Sequence, residues 1–70
     1  MKAIDMVANA TYSFDLDGEC GTVKVHRIAA DEELDTCLWV WGVYSYGYES
    51  DKTDILLGEF DTRDEVHLVR

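Results

Sequence analysis

Asp15, Asp17 and Glu19 stand at alternate positions in the stretch DLDGE, and carboxylates so spaced resemble the opening of a calcium loop. Calcium is a hard cation that gathers several oxygen ligands from one short loop. The EF-hand pattern, however, needs its glycine at the sixth loop position and a glutamate at the twelfth. Here Gly18 falls at the fourth position counted from Asp15, so the stretch reads as a solvated turn. Cys20, Cys37, His26 and His67 supply the ligand types of a zinc site, but no two of them have the close CxxC or HxxxH spacing that such sites use. Nucleophilic catalysis would need a cysteine or serine with an oriented base. The chain has no glycine-rich phosphate loop, and 70 residues leave little room for a cleft. No catalytic residue, no metal and no cofactor is expected, and the protein is read as a non-enzyme.

The remaining chemistry is electrostatic. Fifteen acids face six bases, giving a formal net charge of -9 and a pI near 4.3. Such a field repels nucleic acid and anionic membrane and attracts basic surfaces. The acids fall in groups: Asp15, Asp17 and Glu19; Asp31, Glu32, Glu33 and Asp35; Glu49, Asp51 and Asp54; Glu59, Asp61, Asp64 and Glu65. Acids at alternate strand positions lie about 6.6 Å apart, comparable to the phosphate repeat of a nucleic-acid strand. A rigid array of them fits a lysine- and arginine-lined groove built for nucleic acid. Acids also belong in turns and keep a small aromatic-rich domain dissolved, which explains much of the same placement.

The elements that carry these residues follow from periodicity. Residues 1–70 make a single domain. In ATYSFDLD, residues 10–17, Tyr12, Phe14 and Leu16 alternate with polar residues, the period of a half-buried strand. The turn signal DGECG and the stretch TVKVHRIA complete a β-hairpin over 10–29 with a loop of several residues, Val23 and Val25 sharing one face. After the acidic loop ADEELD come a third strand, roughly 36–48, and a fourth, about 54–60, in which Gly58 marks a bulge or a close approach. Thr62-Arg63-Asp64-Glu65 fits a helix capping box. The expected fold is therefore α+β: a four-stranded antiparallel β-sheet with a short C-terminal helix (ββββα), and either a short helix or a strand extension at the N-terminus.

The third strand contains CLWVWGVYSYGY, residues 37–48. By parity Cys37, Trp39, Trp41 and Val43 face one side, and Leu38, Val40, Tyr44, Tyr46 and Tyr48 the other. The first set is expected to meet the helix and form the core. The tyrosine side then carries apolar surface that the N-terminal segment, a second copy or a different protein must cover. Tyrosine suits an interface, with large area, few rotors and a hydroxyl for wet contacts.

Cys20 and Cys37 are too few for a disulfide framework and read as reduced thiols, a single bridge being the alternative. Neither a signal peptide nor a membrane span is visible, so the protein is expected in the cytoplasm. In size and charge the chain resembles the small acidic inhibitors that phages and other mobile elements make, anti-CRISPR proteins and other DNA mimics among them. That resemblance rests on no motif and implies the cytoplasm of a bacterial host. The expected function is a non-enzymatic protein-binding inhibitor that blocks a basic nucleic-acid-binding surface of a host protein, with no direct binding of nucleic acid or membrane. Its candidate contact residues are Asp31, Glu32, Glu33, Asp35, Tyr44, Tyr46, Tyr48, Glu49 and Asp51. The alternative is a homo-oligomeric structural or accessory domain, beginning with a homodimer.

Overall fold

A computed structural model describes residues 1–47 and 52–70 of the chain, residues 52–54 as backbone. Five strands follow one another: β1 (Thr11–Leu16), β2 (Glu19–Ala30), β3 (Cys37–Tyr46), β4 (Lys52–Asp61) and β5 (Val66–Val69). All pairings are antiparallel, in the spatial order β4-β3-β2-β1-β5. The β1–β2 hairpin turns on Asp17 and Gly18 alone, at φ 51° and 84°. Two successive positive φ values are what a tight hairpin turn requires, and Asp-Gly reaches them at little cost.

The expected C-terminal helix does not form. Thr62 to Glu65 instead reverse the chain. Asp61 Oδ1 accepts the Arg63 amide at 2.8 Å, Asp64 Oδ2 accepts the Asp61 amide at 2.9 Å, and the Asp64 amide donates to the Asp61 carbonyl at 2.9 Å. Asp64 is thus spent on the turn, and Glu65, the carboxylate a capping box would have used, pairs instead with the N-terminal ammonium at 2.8 Å and with Lys2 at 3.4 Å. Val66–Val69 is too short to hold as an isolated helix, whereas the open edge of β1 offers it a ladder: Ser13 pairs with His67 and Phe14 with Val66. Nor is the N-terminus a regular helix or a strand extension. It forms one 3₁₀ turn, Ala3–Asp5, and a single bridge between Lys2 and Glu65.

The sheet is strongly curled. Phe14 on β1 and Phe60 on β4 are three strand steps apart, about 14 Å in a flat sheet. Their ring centroids lie 5.4 Å apart, edge to face. The core inside the curl holds Tyr12, Phe14, Val23, Val25, Leu38, Val40, Tyr44, Phe60 and Val66, closed at one end by Ala3 and Met6 of the N-terminal segment. That segment is pinned by backbone bonds from the Ala3 amide to the Asp64 carbonyl and from the Ile4 amide to the Thr62 carbonyl, 2.8 and 3.1 Å. Along β1, β5 reaches from Thr11 to Phe14 and stops short of Asp15 and Leu16, so a gap stays open between the end of β1 and β4.

The two faces of β3 are the reverse of the expectation. Leu38, Val40 and Tyr44 are buried, while Trp39, Trp41 and Val43 lie half-buried on the outer face. Register decides this: Val23 pairs with Tyr44 and Val25 with Gly42, so the apolar face of β2 continues into the Tyr44 side of β3. An extra residue, His26, between Val25 and Arg27 then brings Ile28 opposite Val40, which keeps the inner face apolar along the long strand. Among the described residues no helix is long and apolar enough to cross a membrane.

Candidate protein-binding surface

Asp31, at the start of the acidic loop between β2 and β3, has both carboxylate oxygens engaged. Oδ1 accepts the amides of Glu33 and Leu34 at 2.8 and 3.1 Å, and Oδ2 accepts the indole Nε1–H of Trp39 at 3.0 Å. The first two bonds fold the loop back on itself in an Asx-type turn. The third fastens it to the outer face of β3. The Glu33 amide above all, then the Leu34 amide and the Trp39 indole, hold the Asp31 carboxyl below its ordinary range, because each donates to the ionised form. Glu32, Glu33 and Asp35 remain exposed on the loop.

Beside Trp39 on the same face lies Trp41, with the Arg27 guanidinium 3.8 Å above its ring centroid. Glu59 pairs with Trp39 and Leu57 with Trp41 across the β3–β4 ladder. Leu57 is 46% exposed and Ile55 66% exposed, and β4 is an edge strand. The outer face thus combines two half-buried indoles, a cation stacked on one of them, exposed aliphatics and an adjoining loop of carboxylates. Aromatic groups and arginine are the side chains enriched where protein surfaces meet.

The tyrosines lie elsewhere. Tyr44 is 1% exposed. Its hydroxyl donates to the Val40 carbonyl at 3.0 Å and accepts from the Gly58 amide, and burial pushes its phenol up to about 12. Gly58 is glycine because the Tyr44 ring and hydroxyl occupy the space that a Cβ would fill. Tyr46 is half-buried and stacks on Tyr44, 5.6 Å between centroids. The candidate residues Tyr48, Glu49 and Asp51 lie outside the described residues. Asp31 to Asp35 therefore sit together, next to Trp39, while Tyr44 belongs to the interior and Tyr46 to a different part of the surface.

Cys20 is exposed and Cys37 buried, and both are free thiols. Cys37 Sγ donates to Glu59 Oε1 at 3.3 Å. Burial first, and then the neighbouring Glu59 carboxylate, push the Cys37 thiol up to about 11, the opposite of what a nucleophile needs. His26 and His67 are both exposed. Among the described residues no three His, Cys, Asp or Glu side chains converge as metal ligands would. Trp39, Trp41, Arg27, Ile55 and Leu57 were not singled out as contact residues from sequence. The signal for the indoles was the register between the valines of β2 and the even positions of β3. Comparison of the chain with protein-family models, with curated proteins and with solved structures finds no match.

Proposed function

We propose that this chain is a non-enzymatic protein-binding inhibitor that docks on a basic, nucleic-acid-binding surface of a host protein. The observation that carries the reading is the bond from Trp39 to Asp31, which makes the acidic loop and the aromatic face one surface. The fixed loop holds Glu32, Glu33 and Asp35 in a restricted arrangement, so less order has to be imposed on binding. Its carboxylates attract a basic groove and displace the counterions that nucleic acid would otherwise displace. Trp39, Trp41, Leu57 and Ile55 supply the apolar contact area. The resemblance in size and charge to phage-made inhibitors supports a site of action in the bacterial cytoplasm.

The test is capture from a bacterial lysate at low and high salt, followed by competition between this protein and duplex DNA for whatever is captured. Binding should weaken by a factor of ten or more between about 50 and 200 mM salt. Joint replacement of Glu32, Glu33 and Asp35 by their amides should slow association more than it speeds dissociation. A captured protein that still binds nucleic acid while holding this one, or binding indifferent to both salt and amide replacement, refutes the reading.

A second reading, a homo-oligomer, is favoured by one observation: Ile55 and Leu57 are exposed on an edge strand, and unprotected edges invite pairing with another chain. The charge of -9 on each copy opposes it. Sedimentation across a range of concentration and salt separates the two, since a self-assembled form would strengthen as salt screens the repulsion.

A further inference from the structure

The gap that β5 leaves between β1 and β4 is a cavity of about 80 Å³ whose walls include Phe14, Tyr44, Tyr46 and Phe60, with Glu19 and Glu59 among the other residues lining it. Pockets for drug-sized molecules run from about 300 to 1,000 Å³, so this one has room for a single small group. Tyr44 and Tyr46 are parallel within 5°, Phe14 stands at 72° to Tyr46, and Phe60 at 83° to Phe14. Aromatic rings in two orientations thus border the same space. Glu19 is exposed, and its charge is felt at Tyr46, whose phenol stands above its usual range first through burial and then through Glu19.

Aromatic faces attract organic cations through the ring quadrupole, and a carboxylate beside them adds a charge that a neutral guest would leave unused. We propose that this cavity is a site for one organic cation, the ammonium or guanidinium head of a lysine or arginine side chain. The proposal rests on the basic-partner reading above and sharpens it: one basic side chain of the partner enters the gap between β1 and β4. That places a second contact on the molecule, separate from the Trp39 and Trp41 face. The occupant is an alkyl cation rather than a metal ion, because among the described residues no three His, Cys, Asp or Glu side chains converge as metal ligands would, and the Tyr44 hydroxyl already accepts the Gly58 amide.

The experiment needs no partner. n-Butylammonium and n-butylguanidinium, the side-chain heads with an alkyl stem, are titrated into the whole protein against n-butanol, which has nearly the same shape and no charge. Aromatic ¹H–¹³C NMR of Phe14, Tyr46 and Phe60 reads the site. The rings should shift and saturate with the cations, which should bind roughly five- to thirty-fold tighter than butanol. Glu19→Gln, a change at the exposed first residue of β2 that leaves the fold intact, should weaken both cations and leave butanol unaltered. Equal binding of butanol, ring shifts that never saturate while shifts spread evenly over the acidic groups, or cation affinities unaltered by Glu19→Gln would each overturn the proposal. Failure here leaves the docking face of Trp39 and Trp41 standing. Conversely, saturable cation binding with no competition for a nucleic-acid-binding protein would retain the site and remove the inhibitor reading.

Discussion

Adding one methyl group at Gly58 should be among the most damaging single changes in the protein. The Cβ of Gly58→Ala would occupy the position of the Tyr44 hydroxyl and ring edge. Neither side can retreat easily. Tyr44 is 1% exposed and its hydroxyl is held by the Val40 carbonyl, while Gly58 is fixed in the ladder opposite Val40. Overpacking of this kind costs about 1–3 kcal/mol. Displacing the hydroxyl from its partners adds about 1 kcal/mol, so the expected loss is about 2–4 kcal/mol. A domain of this length has only about 4–10 kcal/mol in total. The midpoint of thermal unfolding should fall by roughly 10–20 °C. A double-mutant cycle isolates the cause. Tyr44→Phe alone should cost about 1–2 kcal/mol, because it removes the hydroxyl and leaves its partners unpaired. In that background Gly58→Ala should cost at least about 1 kcal/mol less than in the parent. Urea unfolding followed by tryptophan fluorescence gives all four free energies. If Gly58→Ala cost under about 0.5 kcal/mol, or cost the same in both backgrounds, the close contact between β3 and β4 would not exist as described.

Three further outcomes are expected. An aromatic disulfide reagent at neutral pH should modify one thiol quickly, the exposed Cys20, and reach the buried Cys37 only on denaturation; two equally fast thiols would place Cys37 at the surface. Stability should fall as pH rises above about 10, because the folded state holds the Tyr44 phenol neutral up to about 12 while the unfolded chain releases that proton from its ordinary value of 10.0; Tyr44→Phe should flatten that part of the pH profile. Asp31→Asn should loosen the acidic loop and shift tryptophan emission to the red, since the Trp39 indole loses its carboxylate acceptor. The parent should lose the same contribution on acidification, fully present above the ordinary aspartate value of 3.8 and disappearing as pH falls below it, with the mutant insensitive to that step.

Much of the sheet could be read from the residues. Alternation in ATYSFDLD defines the first hairpin, although its loop is Asp17-Gly18 alone rather than the several residues expected from DGECG, and Gly58 signals the close approach that Tyr44 makes. Two things escaped. Thr62 to Glu65 satisfy a capping pattern on local grounds, but Asp64 serves a turn and Glu65 pairs with the N-terminal ammonium and Lys2, and the outcome is decided by the free edge of β1, more than 50 residues earlier in the chain. Local propensity is a weak prior against a ladder of that kind. The faces of β3 could not be assigned by composition, because both are apolar. Register with Val23 and Val25 assigns them, and the extra residue at His26 disguises that register. The acidic loop was found from charge alone, but its anchorage on Trp39 was not, because it joins two positions through side chains rather than through period.

The pairing of β5 with β1 also governs when the protein can become itself. Ser13 must wait for His67, so the last strand made completes the first one. Until then Tyr12 and Phe14 sit on a strand with one open edge, beside a core that has not yet received Val66. Contacts between distant parts of a chain form slowly, in milliseconds to seconds for small all-β domains. In that interval an unpaired, aromatic-bearing edge is exposed to other chains. The high negative charge then has a role before folding as well as after it: copies that repel one another have time to close their own sheets before they can pair with a neighbour's.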